Sequence, residues 1–301
     1  MSPTTALPAR FRRPRLLVIG PGDVGQRVLR QLGGRLGAFA LVRTPQAAAQ
    51  VRALGARALM GDLDRPATLQ RLAGIATHVL HLAPPPAEGE GDARTAALLR
   101  VLARRAAAAA LVYVSTSGVY GDCAGARVDE TRRVHPQSAR ARRRVAAEAL
   151  VRSLGRTASV RASVLRVPGI YAADRPGGTP RERLLRGTPV LAADDDVFTS
   201  HIQADDLARA CIAALWRGRP QRTVNACDDS ALKMGDYVDL AADAYGLPRP
   251  PRVSRAEAAA LLAPTLLSFM RESRRLDNGR LMRELRVRLR HPVVSAASLL
   301  G

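Results

Sequence analysis

The sequence predicts an α/β protein in which a doubly wound parallel sheet is followed by a smaller C-terminal α/β lobe. Short runs of branched apolar residues alternate with helical stretches from residue 15 to residue 171. Strands that alternate with helices pair in parallel through right-handed crossovers. A glycine-rich turn follows the first strand, and 301 residues with 47% apolar content are enough for a large core.

The strands and helices of the first half are predicted in order from apolar runs and helix punctuation. The strands cover residues 15–20, 39–43, 56–63, 77–83, 110–118 and 158–171. The helices between them cover residues 22–34, 44–55, 64–74, 92–109 and a stretch that begins within 135–150 and ends near Leu154. Thr44, Pro45 and Gly55 stand where an N-cap, a first helical residue and a helix stop belong, and Asp64 begins a similar pattern.

The alternation weakens after Tyr171. A short strand and a helix are predicted over residues 198–218, one more strand over 222–229, and helical segments over 234–248 and 255–273. These features predict a flexible basic tail at 1–13, a sheet domain at 14–171 and a smaller lobe at 172–301 that accepts the substrate. Residues 198–228 are expected to return to the sheet of the first domain.

The charge of the chain is high but scattered. The net charge is +21, and Lys233 is the only lysine, so arginine supplies nearly all of the positive charge. A solvated basic surface and a polyanion site are both compatible with this charge. Only 3% of the residues are aromatic, too few for a platform that stacks bases. We therefore do not expect a nucleic-acid partner.

The cysteine pattern and the hydropathy favour a cytoplasmic protein. Cys123, Cys211 and Cys227 are widely spaced and odd in number, as expected for reduced thiols. No apolar run reaches the roughly 18 residues of a membrane helix, so no membrane contact is expected. The five histidines do not have the spacing of a metal site.

The stretch GPGDVG after the first strand predicts a dinucleotide-binding turn. Gly20 permits the tight turn, Gly22 lets the backbone approach a pyrophosphate, and Gly25 allows the helix to pack closely on the strand. Asp23 and Val24 open the helix, whose N-terminus offers free N–H groups and positive potential. The motif therefore predicts a Rossmann-like, NAD(P)-binding domain over residues 14–171.

The tip of the second strand favours NADP(H) over NAD(H). An NAD site places a carboxylate there to hold the ribose hydroxyls, whereas this sequence has Arg43 and Thr44. A guanidinium can bind a 2′-phosphate that a carboxylate would repel. Alternatively, Arg43 stacks on adenine or points into solvent. Further cofactor contacts are expected at the ends of the third and fourth strands, from Asp62, Leu63, Ala83 and Pro84.

The chain resembles the extended short-chain dehydrogenase/reductases, also called the NAD-dependent epimerase/dehydratase family, and is closest to the atypical members. The resemblance extends over nearly the whole sequence. It rests on GPGDVG, GDL, HLAPP, VSTSGVYGD, VDE, LRVPGIY, HIQADDLA, VNACDD and RRLDNGRLMRELRVRLRHP. It implies nicotinamide chemistry at the carboxyl end of the sheet.

The catalytic Tyr-x-x-x-Lys pair of that family is absent. Counting back from Glu148, the resemblance places the Tyr position on Arg140 and the Lys position on Arg144. Four residues apart on a helix, these side chains lie on one face. Arg144 could hold ribose hydroxyls and Arg140 could polarise a carbonyl, although a guanidinium does not act as an acid. Alternatively, the arginines form a solvated helix start, with Arg144 paired to Glu148.

The resemblance assigns the remaining candidates at the end of the fifth and sixth strands. Thr116 matches the active-site Ser/Thr, with Ser115 and Ser117 as alternatives, and Ser115 is also expected beside the cofactor. Tyr120 is the first candidate for a substitute acid, and Tyr171 is the second. Pro168 matches a residue whose backbone contacts the nicotinamide.

Together these features predict an NADP(H)-dependent oxidoreductase or epimerase-like enzyme that acts on a carbonyl or sugar-like small molecule. An alternative is an NADP(H)-binding protein with little or no turnover, such as a redox sensor or partner-binding module. A third hypothesis, RNA or polyanion binding, rests on the charge alone. The resemblance is also compatible with a homodimer formed through the helix that carries Arg142.

Overall fold

The computed structural model describes residues 14–105 and 108–301, so the tail predicted at 1–13 lies outside the described residues. These residues form two compact units. The first comprises the chain up to Ser115 together with Arg143–Leu165 and Ala208–Thr223. The second comprises Thr116–Arg142, Arg166–Leu207 and Val224–Gly301. The domain boundary after residue 171 stays a prediction.

The strands and helices alternate along the chain as the apolar pattern predicts. The strands are β1 (Arg15–Ile19), β2 (Gly37–Val42), β3 (Arg57–Met60), β4 (His78–His81), β5 (Ala110–Thr116), β6 (Arg127–Val128), β7 (Arg161–Val167), β8 (Gly169–Tyr171), β9 (Val190–Leu191), β10 (Phe198–Thr199), β11 (His201–Gln203), β12 (Arg222–Asn225), β13 (Leu232–Lys233), β14 (Arg252–Val253) and β15 (Arg275–Leu276). The helices are α1 (Asp23–Leu32), α2 (Pro45–Ala53), α3 (Ala93–Leu102), α4 (Ala139–Thr157), α5 (Arg181–Leu185), α6 (Ala204–Arg217), α7 (Met234–Tyr245), α8 (Arg255–Leu261), α9 (Pro264–Phe269), α10 (Gly279–Arg283) and α11 (Ala296–Leu300).

The first unit is built on a seven-stranded sheet with the order β12-β7-β5-β4-β1-β2-β3. Strand β1 pairs in parallel with β2 on one side and with β4 on the other. The strand order therefore reverses between β1 and β4, which is where open parallel sheets bind their ligands. The fold is the predicted Rossmann-like α/β fold.

The core of the first unit is aliphatic because the chain has few aromatic residues. Fully buried leucines and valines from β1, α3, β5 and α4 pack together, among them Leu17, Leu98, Leu111 and Val151. Thr44 caps α2 as predicted, since its side-chain oxygen accepts a hydrogen bond from the Ala47 backbone N–H at 3.2 Å. This cap fixes the start of α2 directly after the tip of β2.

The second unit carries short strand pairs and small helices. Strand β8 pairs in parallel with β11, and β10 pairs antiparallel with β13. Its core lies between β8, α5, α7 and α11, where Tyr171, Leu184, Tyr237 and Leu299 are buried. Among the described residues, none of the helices is both long and apolar enough to span a bilayer.

Two predicted helices differ from the observed elements. Residues 64–74 form only a 3₁₀ helix, Pro66–Leu72, and Arg65 stands at its N-cap. Asp64 does not cap it because the Asp64 carboxylate forms a bidentate ion pair with Arg94, at 2.6 and 2.7 Å. Residues 255–273 form α8 and α9 with a break between them. Pro264 causes this break, since a proline disfavours helical geometry in the residue before it.

Candidate functional site

The glycine turn after β1 adopts the geometry predicted for a dinucleotide-binding turn. Gly20 has a φ of +76°, and a Cβ added there would lie 2.8 Å from the backbone of Ala83. A Cβ on Gly25 would lie 3.1 Å from Leu82 and 3.2 Å from Val18, so α1 packs closely on the sheet. A side chain is therefore excluded at Gly20, and at Gly25 it would force the neighbouring side chains to shift. Because Ala83 follows β4, the turn lies at the point where the strand order reverses.

Gly22 differs from Gly20 and Gly25 because the space that a Cβ would occupy there is empty among the described residues. It is the N-cap of α1, and a Cβ added there would meet no heavy atom of the described residues within 4 Å. No side chain of the described residues caps α1, so the N–H groups of its first turn are left for another partner at the positive end of the helix. Asp23 pairs with Arg27 one turn later, at 3.1 Å, and Val24 is half-buried on α1.

The tips of β2 and β3 present side chains of both charges. Arg43 is exposed directly after β2, and its charge contributes to lowering the pKa of Asp64. The Asp62 carboxylate accepts a hydrogen bond from the Asp64 backbone N–H at 3.0 Å. Leu63 is a core residue, 9% exposed, and its contact with the cofactor stays a prediction. Arg43 is thus the cation at the β2 tip, as the sequence predicts.

A buried hydroxyl at the end of β5 supports a polar ligand in the first unit. Ser115 is 4% exposed, and its Oγ has no hydrogen-bond partner within the described chain. A buried hydroxyl without a partner costs about 1–3 kcal/mol, which a bound group could recover. Just after β4, Ala83 is buried and Pro84 is exposed. The residues of this unit therefore fit a dinucleotide cofactor.

Arg144 is fixed by β5. Its Nη1 donates to the Tyr113 hydroxyl at 2.9 Å and to the Val114 carbonyl at 2.8 Å. The predicted alternative of an Arg144–Glu148 pair is wrong, because the Glu148 carboxylate instead pairs with Arg152 at 3.2 Å. Burial raises the pKa of Tyr113 to about 12, so its phenol stays protonated. The positive charge of Arg144 is thus held beside the end of β5.

The predicted solvated helix start is only partly correct. Arg142 is exposed, but Arg143 is buried, and its Nη1 donates to the Gly89 carbonyl at 3.0 Å. Tertiary contacts thus give these neighbouring arginines different roles.

The second unit contains a cleft of about 1370 Å³. Thr116, Arg140 and Pro168 line it, as do parts of β8, α5, α7 and the 261–274 segment. Thr116 Oγ1 accepts a hydrogen bond from the Gly118 backbone N–H at 3.2 Å, which leaves its own proton to donate. The Arg140 guanidinium lies over the Phe269 ring, 4.9 Å from the ring centroid. With Tyr171, which also lines it, four of the sequence-predicted residues share one cavity.

Tyr120 is poorly placed for the role of substitute acid. It is 1% exposed and does not line the cleft. Its hydroxyl donates to Asn225 Oδ1 at 2.8 Å, and the Arg166 guanidinium lies 4.7 Å from its ring centroid. A phenol held in this way stabilises the fold of the second unit. The geometry does not support the predicted proton donor.

An aromatic group in the cleft combines Tyr171, the second candidate acid, with two residues that the sequence reading did not single out. His201 packs on Tyr237 with ring centroids 4.2 Å apart and meets Tyr171 edge-on at 6.4 Å. Burial lowers the pKa of His201 to about 4 and raises that of Tyr171 to about 12. All three side chains are therefore neutral at pH 7. His201 begins the HIQADDLA motif, but Tyr237 lies on α7, whose sequence pattern does not indicate a function.

The fold and the glycine turn are those of a Rossmann-type protein, with a turn of the dinucleotide-binding kind after β1. The model of the NAD dependent epimerase/dehydratase family matches residues 16–227. The chain therefore belongs to this family, as the sequence resemblance implied, and it is an NAD(P)-dependent oxidoreductase or epimerase by class.

Solved structures with the same fold include proteins of known and of unknown function. A functionally unknown conserved protein from Silicibacter pomeroyi DSS is 32% identical, with a TM-score of 0.80 over 95% of this chain and 97% of that one. UDP-glucuronic acid 4-epimerase from Bacillus cereus in complex with NAD is 17% identical, with a TM-score of 0.74 over 95% and 96%. UDP-glucose 4-epimerase from Thermotoga maritima with UDP-glucose is 18% identical, with a TM-score of 0.78 over 95% and 96%. Proteins with curated descriptions include no significant match to this sequence.

Proposed function

We propose that this chain is an NADP(H)-dependent oxidoreductase or epimerase-like enzyme that acts on a small carbonyl or sugar-like molecule. The observation that carries the proposal is the open Cβ position of Gly22 at the start of α1, in a chain of the epimerase/dehydratase family. A pyrophosphate placed there would accept hydrogen bonds from the free N–H groups of the helix. The unsatisfied Ser115 hydroxyl supports a further polar contact with the cofactor.

The nicotinamide, when bound, supplies or accepts the hydride. The second unit binds the substrate in its cleft, where Thr116 orients the reacting oxygen through a hydrogen bond. Arg140 stabilises the negative charge that develops on this oxygen during reduction. Because a guanidinium does not release its proton at neutral pH, the proton comes from solvent through the Thr116 hydroxyl.

Arg43 favours NADP(H) because it is an exposed cation at the β2 tip, where an NAD enzyme places a carboxylate. This guanidinium can form hydrogen bonds to the 2′-phosphate of NADP(H), whereas a carboxylate at the same place would repel that phosphate. The nearby Asp64 carboxylate is engaged by Arg94, which limits its repulsion of a phosphate. The Bacillus cereus epimerase was solved in complex with NAD, and this observation concerns that protein.

Fluorescence titration with NADPH and NADH tests the cofactor preference. Arg43→Glu should weaken NADPH binding by roughly 10- to 100-fold, the loss of one or two charge-assisted hydrogen bonds, and leave NADH binding nearly unchanged. Arg57→Glu is the matched control, since Arg57 is an equally exposed arginine at the opposite, amino end of β3. Equal losses in the two variants, or NADH binding tighter than NADPH binding in the wild type, would refute the preference.

A second candidate is nucleotide binding with little or no turnover, as in a redox sensor. It is favoured by the arginines at positions 140 and 144 and by the Tyr120 hydroxyl, which is engaged with Asn225. Oxidation of NADPH over a panel of carbonyl compounds separates the two candidates. Turnover that Arg140→Gln abolishes supports the enzyme, whereas tight NADPH binding without turnover on any compound supports the sensor.

A further inference from the structure

We propose that Arg183 and the aromatic group of the cleft form a subsite for one anionic group, so that the substrate carries a carboxylate or a phosphate. The aromatic group is Tyr171, His201 and Tyr237. This inference rests on the proposed function, because it names the class of small molecule that the cleft accepts.

The lining of the cleft is strongly unbalanced in charge. Its one acidic residue, Glu272, pairs with Arg274 at 2.7 Å, so no carboxylate of the lining is left to neutralise the other cations. The arginines of the lining are Arg140, Arg175, Arg183, Arg186, Arg271 and Arg274. A cleft bounded by charges of one sign concentrates ligands of the opposite sign.

Arg183 is the arginine of this set whose surroundings point to a ligand. It lies on α5 and is half-buried, and within the described chain no carboxylate is paired with it. Burial lowers the pKa of its guanidinium, because desolvation disfavours the charged form. A desolvated cation without a carboxylate is costly unless another anion approaches. Arg183, His201 and Tyr237 line the same cleft, and besides burial the charge of Arg183 helps to lower the pKa of His201.

Two neutral hydrogen-bond donors line the same cleft as Arg183. The Tyr171 residue is 1% exposed, and its hydroxyl lies near Ser298 but has no well-formed hydrogen bond within the described residues. His201 is 6% exposed, and its Nδ1 is likewise without a partner there, whereas its Nε2 lies 3.4 Å from Thr199 Oγ1. If the Thr199 hydroxyl donates to Nε2, the proton of the neutral imidazole is on Nδ1 and is available to an anion.

A cation with two unsatisfied, buried donors is the chemistry of an oxyanion site. A carboxylate and a phosphate both accept bidentate hydrogen bonds from a guanidinium and further bonds from O–H and N–H groups. The neutral state of His201 at pH 7 matters, since a second cation here would add to the repulsion around Arg183. The subsite would therefore favour an acidic substrate over its uncharged analogue.

Anion binding is measured by calorimetry with inorganic phosphate and with propionate, at constant ionic strength set with chloride. We expect Arg183→Gln to weaken the binding of the preferred anion by about 10-fold or more. Arg181→Gln is the matched control, because Arg181 is on the same helix but exposed and outside the cleft lining. Binding of phosphate alone assigns a phosphorylated substrate, and binding of propionate assigns a carboxylate.

Equal binding by the wild type and Arg183→Gln overturns the subsite, as do equal losses in Arg183→Gln and Arg181→Gln. If Arg183→Gln does not fold, Tyr171→Phe removes only a hydroxyl and should weaken the same anion several-fold. Unchanged affinity in Tyr171→Phe then overturns the proposal.

The proposed function is judged separately, from NADPH oxidation with matched pairs such as a 2-oxo acid and its amide. Specific anion binding without turnover on any compound rejects the enzyme and keeps the subsite. Turnover that does not distinguish the acid from the amide keeps the enzyme and rejects the subsite.

Discussion

Gly22→Ala should separate the binding of the cofactor from the stability of the fold. The backbone at this position has φ −72° and ψ −159°, which an alanine adopts without strain, and the added Cβ meets no atom within 4 Å. Replacing a glycine in an allowed conformation stabilises a protein by about 0.4–1 kcal/mol. Losing a glycine N-cap costs a few tenths to about 1 kcal/mol. These effects offset each other, so the melting temperature should hardly change.

The effect on nucleotide binding should be much larger. The new methyl group would fill the space through which a pyrophosphate approaches the start of α1. Losing one hydrogen bond from a backbone N–H to a charged oxygen costs roughly 1.5–3 kcal/mol, which corresponds to about a 10- to 150-fold increase in Kd. Fluorescence titration with NADPH and NADH should therefore show weaker binding of both, since both contain the pyrophosphate.

Gly25→Ala is the matched control for this prediction. Its Cβ would lie 3.1 Å from the Leu82 side chain and 3.2 Å from the Val18 side chain, so the neighbours must shift and the melting temperature should fall. The reasoning would be refuted if Gly22→Ala bound both nucleotides with the wild-type Kd, or if it lost stability as Gly25→Ala does.

Three further substitutions test the buried polar contacts. The pKa of His81 is lowered to about 3 by burial, so an unfolded chain is protonated first as the pH falls. The advantage of wild type over His81→Gln in urea unfolding should then shrink by about 1.4 kcal/mol per pH unit below pH 6.5, and a constant difference would contradict it. Arg144→Leu should lower the free energy of unfolding by about 1–3 kcal/mol, because the buried Tyr113 hydroxyl loses its donor, whereas Arg144→Lys should lose less. Tyr120→Phe should lower stability by about 1 kcal/mol through Asn225 and leave kcat unchanged in NADPH oxidation, and a collapse of kcat would restore Tyr120 as the acid.

The sequence predicts the sheet domain well because its signals are local. The branched run before Gly20 and the caps of α2 depend on neighbouring residues, and the structure confirms them. The Asp64 prediction is wrong because Arg94, thirty residues later, binds its carboxylate. Competition of this kind depends on tertiary structure, which capping patterns do not contain.

The candidate site likewise contains some residues that the sequence predicts and others that it does not predict. The roles of Gly20 and Gly25 follow from spacing and are visible in their close contacts. Arg183, His201 and Tyr237 line one cleft although α5, β11 and α7 are far apart in sequence. No pattern within any of these short segments marks them as neighbours, so the group could be found only in three dimensions.

Several arginines of this chain hold the backbone together instead of coating the surface. Arg161 donates to the Leu215 carbonyl at 2.7 Å, and Arg144 donates to the Val114 carbonyl at 2.8 Å. A guanidinium keeps its proton beyond pH 12, whereas a lysine begins to discharge near pH 10. Because Lys233 is the only lysine, these hydrogen bonds to the backbone should persist in strongly alkaline solution. A homologue with lysines at the same positions would lose them.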